Sequence, residues 1–269
     1  MKLWLRVLLG LSLPAAIIVL WWLATSYGSI PRQILPTPRM VLSVYINGEE
    51  RGKLLGHLLV SLRRVGIGFF MASVFGILLG VAAGISKICN AIILPTLTAV
   101  RQIPIIAWIP LLILWCGIGE FAKIVLVCMA AFFGVFINTQ SGVSETPVSY
   151  LEVARLNNLS KGQTIILVYL PYALPQILTG LQIGMGISWM AVVASELISA
   201  TSGIGYFMSD ARFYMRSDIM IACMLVIGTV GISMNSVLLK LFSFITPWKA
   251  QERKTAGKVP SGNEKPGTE

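Results

Sequence analysis

Charged positions divide the chain into long apolar blocks. Six stretches hold no Asp, Glu, Lys or Arg: residues 7–31, 65–86, 102–119, 124–144, 162–195 and 219–239. A bilayer crossing takes about 20 mostly apolar residues. The pattern therefore predicts six membrane-spanning helices, at roughly 7–25, 65–86, 92–115, 122–142, 171–198 and 219–240. Continuous runs of this length argue against a β-barrel, whose strands alternate apolar and polar over about 10 residues. The 162–195 block is too long for one crossing, so part of it is expected outside the bilayer. The third span is the weakest, because Arg101 lies inside it. The expected fold class is an all-α integral membrane protein.

Composition agrees. Of the 269 residues, 56% are hydrophobic and only 12% charged, against about 25% charged in soluble domains. Mean hydropathy is +0.81. A soluble enzyme and a disordered chain are both excluded. The net charge of +10 would elsewhere suggest a nucleic-acid partner. Here the few charges flank apolar spans, so the bilayer is the partner and nucleic acid is not. The first run, with Lys2 and Arg6 before it and Ala24-Thr25-Ser26 after it, could be read as a signal peptide. It is longer than the 7–15 residues of a signal core, which favours an uncleaved anchor.

Catalytic chemistry is absent from the pattern. Cys89, Cys116, Cys128 and Cys223 have no C-x-x-C spacing and read as apolar packing residues. His57 has no ligand partner nearby, and no metal site is expected. No phosphate loop, nucleophile elbow or carboxylate pair appears. Energy for any transport must come from another chain or from an ion gradient.

Two stripes of small residues stand out. Gly68, Ala72, Gly76, Gly80 and Gly84 recur every fourth position of the second span, and Gly180, Gly184 and Ser188 do so in the fifth. Spacing of four puts each set on one helix face, where small residues let a neighbouring helix approach closely. Pro95, Pro104 and Pro110 interrupt the third span, and broken helices at membrane depth belong against protein or a water-filled path. Arg101 is costly in a bilayer and marks a functional position, unless it snorkels or pairs with a carboxylate. Glu196 is the candidate partner.

Residues 145–175, between spans four and five, read as a helix–turn–helix elbow. Thr146 and Pro147 suit an N-cap and first helical residue. A short helix follows to about Asn157, with Glu152 and Arg155 spaced to pair weakly. Asn157-Asn158 suits a left-handed end. Ser160-Lys161-Gly162-Gln163 fits a capping box that starts a second helix. Such an elbow suits docking onto a soluble partner; the bland alternative is an ordinary loop.

This stretch resembles the EAA loop of binding-protein-dependent ATP-binding-cassette importers. Glu152-Val153-Ala154 stands for E-A-A, Asn158 takes the glycine position, and Val168-Tyr169-Leu170-Pro171 stands for I-x-L-P. Three further segments are similar to the aliphatic-sulfonate, taurine and nitrate permease branch. They are Gln33-Ile34-Leu35-Pro36-Thr37-Pro38, then Arg101-Gln102-Ile103-Pro104 with Ile109-Pro110-Leu111 and Leu114-Trp115-Cys116-Gly117-Ile118, and Glu196-Leu197-Ile198-Ser199-Ala200 with Ser202-Gly203-Ile204-Gly205-Tyr206.

The resemblance implies a type I ABC importer permease: a transmembrane domain over 1–246 with a cytoplasmic coupling elbow at about 145–170. The polar tail, 247–269, lies outside it and is expected to be disordered. The implied partners are ABC ATPase subunits, a periplasmic or lipid-tethered substrate-binding protein and a second permease chain, commonly a homodimer. The chain itself would hold no cofactor, since ATP and Mg belong to the ATPase. Glu152, Val153, Ala154, Arg155, Leu156 and Asn158 are the expected coupling residues. Arg101, Met185, Trp189 and Glu196 are assigned to the translocation path, and Ser202, Gly203, Gly205 and Tyr206 to an outer gate. Lys and Arg split eleven to nine between the two sides, with Arg63 and Arg64 counted outside. That bias is weak, so cytoplasmic termini and a bacterial inner-membrane location rest on the resemblance. The cargo reading is a small oxyanion, which a guanidinium such as Arg101 would bind well. The competing reading is an ion-gradient carrier using Arg101 and Glu196 as its relay, although no inverted repeat of the kind many such carriers show is visible.

Overall fold

The computed structural model describes residues 3–28 and 30–245; the tail expected to be disordered lies outside them. The described residues form helices and connecting turns. In order they are α1 (Leu3–Tyr27), α2 (Pro38–Ile46), α3 (Gly48–Ile85), α4 (Lys87–Arg101), a 3-10 turn (Ile105–Trp108), α5 (Ile109–Cys116), α6 (Glu120–Ser144), α7 (Val148–Leu156), α8 (Lys161–Thr164), a π turn (Ile165–Tyr169), α9 (Leu170–Ser199), α10 (Ile204–Phe213) and α11 (Ser217–Ile245).

Five helical segments are long and apolar enough to cross a membrane, and a sixth counts only if α4 and the segment after it form one broken span. That pair is bent by 92°. The expected third span is therefore a helix with a corner. Pro104 sits at the corner and Pro110 in the first turn of α5, where a missing N–H costs nothing. Pro95 lies inside α4 without ending it.

The second span begins earlier than its uncharged run. Helix α3 has 38 residues, about 57 Å at 1.5 Å per residue. Its first turns carry Glu49, Glu50, Arg51 and Lys53, which a helix outside hydrocarbon tolerates. Asn47 caps it by accepting from Glu49 N–H at 3.1 Å.

Helix α6 lies between α3 and α9, and the small-residue stripes explain how. A Cβ on Gly80 would sit 2.7 Å from Thr139 Cβ, and one on Gly84 would sit 2.6 Å from Val143 Cβ. On the opposite face, a Cβ on Gly180 would sit 2.9 Å from Asn138 Cβ and 3.0 Å from Gly134 O. Ser188 donates to Val127 O at 3.4 Å. Both stripes are thus contact faces against one central helix. Val127, Val135 and Phe136 of α6 are fully buried between them.

The remaining helices pack around this core. Thr37 caps α2 by accepting from Met40 N–H at 3.3 Å, and Val41 and Val44 are buried. Tyr45 donates to Ala222 O of α11 at 2.8 Å. Most described side chains of α1 are exposed; Trp21 Nε1 donates to Pro36 O at 2.9 Å and ties the helix to the turn before α2. The four cysteines are free thiols.

Candidate functional sites at the two ends of the bundle

At one end stands the elbow. Pro147, not Thr146, occupies the N-cap position of α7, and Thr146 Oγ1 is buried without a partner. The expected threonine cap is corrected by one residue. The end of α7 is as expected: Asn158 has φ 54°. Its N–H donates to Arg155 O at 2.9 Å, and Leu159 N–H donates to Ala154 O at 3.1 Å. These two bonds are the Schellman closure that a left-handed residue permits. The capping box is also present, with Gln163 N–H donating to Ser160 Oγ at 3.3 Å and Ser160 N–H to Gln163 Oε1 at 2.8 Å.

A π turn then carries Val168 and Tyr169 into Pro171. Proline offers no N–H to the carbonyl four residues back, and a local change of helix register accommodates it. Helix α8 runs through that turn into α9, so the second elbow helix and the fifth span are one rod. Ala154 is 3% exposed and seats α7 on the rod. Glu152, Val153, Arg155, Leu156 and Asn158 face outward, and Glu152 forms no ion pair with Arg155. Of the six expected coupling residues, Ala154 alone points inward.

At the other end, Glu196 of α9 is 1% exposed. Its carboxylate accepts from Arg64 Nη1 at 2.6 Å, Ser61 Oγ at 2.8 Å and Gly205 N–H at 3.0 Å. Arg64 also donates to Ser202 O at 2.7 Å, Ser202 Oγ at 2.8 Å and both oxygens of Glu120. All five of its N–H groups are engaged. Ser61 Oγ accepts from Ile204 N–H at 2.9 Å. His57 Nδ1 accepts from Gly203 N–H at 3.2 Å while its ring stacks on Phe207, and Tyr206 lies 5.7 Å from His57.

Local geometry explains the Ser-Gly-Ile-Gly sequence. Gly203 has φ 111°, and a side chain there would overlap the Glu196 carboxylate. A Cβ on Gly205 would meet Val193 O at 2.6 Å. The turn before α10 is thus laid directly on a buried ion pair. Nearby, Arg216 bridges Glu50 at 2.6 Å and Asp218 at 2.7 Å, tying α3 to α11. Hydrogen bonds donated to Asp218 and Glu50 hold the Arg216 pKa above its ordinary value.

The structure does not gather the four expected path residues. Met185 and Trp189 share one core cluster, and Trp189 Nε1 donates to Ile227 O at 3.0 Å. Arg101, the last residue of α4, is exposed and pairs with no described residue. Glu196 takes Arg64, not Arg101, as its partner. The charge split counts Arg64 on the outer side and gives it no partner; the available signal is Ser61 and Arg64 lying one turn apart on α3.

Comparison with known proteins decides the family. Residues 72–249 match the model for the binding-protein-dependent transport system inner membrane component. The chain belongs to this family. It is 35% identical to the putative aliphatic sulfonates transport permease protein SsuC of Bacillus subtilis, over 89% of this chain and 87% of that one. It is 34% identical to the taurine transport system permease protein TauC of Escherichia coli, over 91% of each. It is 35% identical to the nitrate import permease protein NrtB of Synechocystis, over 87% of each. A chain of the inward-facing MetNI methionine ABC transporter shares the fold, with a TM-score of 0.57 at 20% identity, covering 71% of this chain and 99% of that one.

As a permease component of an ABC importer, the chain is a multi-pass membrane protein and not itself an enzyme. Its family implies an ATPase and a substrate-binding protein as partners. The ion-gradient reading yields to this one.

Proposed function

We propose that this permease moves a small oxyanion, an aliphatic sulfonate, taurine or nitrate, from a binding protein into the cytoplasm of a bacterium. The cargoes for which three relatives are named, each aligned over nearly nine-tenths of this chain or more, carry the reading. Two copies of the chain form the pore. Separate ATPase subunits, which hold ATP and Mg, dock on the elbows at the cytoplasmic face, and both termini lie on that side.

The elbow's build supports the docking role. Its outward residues, Glu152, Val153, Arg155 and Leu156, stand on a short helix closed by Asn158 and clamped to the rod of α8 and α9. A push on α7 therefore reaches the fifth span as rigid motion. ATP binding need only favour one of two conformations to drive the change. At the far end, Ser202, Gly203, Gly205 and Tyr206 form the turn that would open toward the binding protein. Arg101, at the end of α4 and with no partner among the described residues, is the cargo contact we assign. Met185 and Trp189 would support the path from within the core.

Co-purification tests the docking. Wild-type permease retains its ATPase in detergent, and Leu156→Asp or Glu152→Ala loses it. Retention by both variants contradicts the elbow assignment.

A further inference from the structure

A cluster of charges from three helices stands at the end of the bundle opposite the elbow: Arg63 and Arg64 of α3, Glu120 and Lys123 of α6, and Glu196 of α9. Arg64 joins the two carboxylates, and Lys123 lies 3.9 Å from Glu120. Three cations against two carboxylates leave one positive charge unmatched. Arg63 is that charge. Its side chain is exposed and acts on Glu120 through space, but it makes no hydrogen bond or ion pair to any described residue.

Arg63 sits at the depth of a membrane interface. The uncharged run of α3 begins two residues later and covers 65–86, about 33 Å at 1.5 Å per residue, close to the ~30 Å hydrocarbon core. In α6 the uncharged run starts directly after Lys123, so Glu120 and Lys123 share that level. Ile67, Phe70 and Val74 follow Arg63 at helical spacing and are 40%, 69% and 39% exposed. An apolar stripe thus continues from the guanidinium along one face of α3 toward the bilayer centre.

Between α3 and α6 lies a cavity of about 230 Å³, lined by Arg63, Arg64, Ile67, Glu120, Ile124 and Ser202. One water needs only about 10–15 Å³, so a polar headgroup has room there. All the Arg64 donors are spent within the fold, which leaves the Arg63 fork as the free one. Ser202 Oγ accepts from Arg64 Nη2 at 2.8 Å, and its own proton goes to no described acceptor.

We infer that this cavity holds the phosphate of an anionic phospholipid, with Arg63 as its charge partner, Ser202 as a second donor and one acyl chain on Ile67, Phe70 and Val74. Basic pockets between membrane-spanning helices bind such headgroups, and a guanidinium fork matches phosphate oxygens. A cargo oxyanion shares the headgroup chemistry but has no chain to cover the stripe, which favours the lipid. The bound lipid would join α3, α6 and the turn before α10.

The importer purified in detergent, permease with its ATPase, supplies the test. Native mass spectrometry follows titration with dioleoylphosphatidylglycerol or dioleoylphosphatidylcholine. Wild type is expected to bind the anionic lipid about fivefold more tightly, the worth of one arginine near an anionic surface. Arg63→Gln removes no hydrogen bond of the fold and should bind both lipids alike, while Arg63→Lys keeps a preference. A preference unchanged in Arg63→Gln overturns the site. Arg51→Gln, an exposed cation about 18 Å away along α3, should keep the wild-type preference; a loss equal to that of Arg63→Gln would reduce the effect to surface charge and overturn the site. Phe70→Ala tests the stripe independently: it should weaken both lipids, and unchanged binding of both overturns the acyl placement. Displacement of phosphatidylglycerol by millimolar taurine, ethanesulfonate or nitrate would make the cavity a cargo site and overturn the lipid. Loss of dimer in Arg63→Gln with the lipid preference intact would give this face to a second copy and overturn it equally.

Discussion

Arg64 and Glu196, 132 residues apart in the chain, form an ion pair at 2.6 Å with side chains 1% and 0% exposed. Burying two charges is costly unless every lone pair and proton finds a partner, and here they do. The pair joins α3 to α9 and serves as the floor on which the Ser202–Gly203 turn rests. The partners of Glu196 make it part of the scaffold beneath the turn before α10.

Removing one member should therefore hurt more than removing both. Glu196→Ala leaves Arg64 with an unpaired share of its charge and should destabilise the fold by about 3 kcal/mol, the lower end for broken buried pairs. Arg64→Met with Glu196→Leu should recover part of that loss. Thermal unfolding midpoints in detergent measure both. A double variant no more stable than Glu196→Ala would show that the pair is not the source of the effect.

The small-residue stripe predicts opposite signs at two glycines of α3. Gly80→Val drives a side chain into Thr139 and the Phe136 carbonyl and should cost about 1–3 kcal/mol by overpacking. Gly66 faces open space, so Gly66→Ala should be neutral or stabilise by about 0.5–1 kcal/mol through reduced backbone entropy. Yield of monodisperse protein and its unfolding midpoint report the difference. Equal losses at the two sites contradict the packing role.

Asn158 predicts a dependence on backbone conformation. At φ 54°, Asn158→Gly should keep the elbow intact. Asn158→Val should strain it by about 1–2 kcal/mol and weaken ATPase co-purification. If the valine variant binds ATPase as well as the glycine variant, the left-handed turn is dispensable.

The capping box predicts local rather than global loss. Ser160→Ala should cost about 1 kcal/mol, read as roughly fivefold faster amide exchange at residues 161–164, with the unfolding midpoint little changed. Unchanged exchange there would mean that the π turn and α9 alone hold the start of the rod.

Much of this was readable in the chain. Spacing of four revealed the faces that α3 and α9 turn to α6, because close helix contact in lipid demands small residues. Asn158 and the Ser160 box were legible because turn and cap chemistry is local. The start of α3 was not, since a rule based on uncharged runs stops at Arg64, whose charge is turned inward. Partner choice was equally hidden: Glu196 has Arg101 and Arg64 as rivals in sequence, and only the packing of α3 on α9 selects Arg64. Thr146 misled for the opposite reason, as Pro147 took the capping position with its extended backbone.

Uptake in proteoliposomes tests the central claim most directly. Permease, ATPase and binding protein are reconstituted together, and accumulation of labelled taurine, ethanesulfonate or nitrate is followed. The account predicts accumulation of at least one of them that requires both ATP and the binding protein and is indifferent to proton and sodium gradients. Accumulation by the permease alone, driven by an ion gradient without ATP, would contradict it.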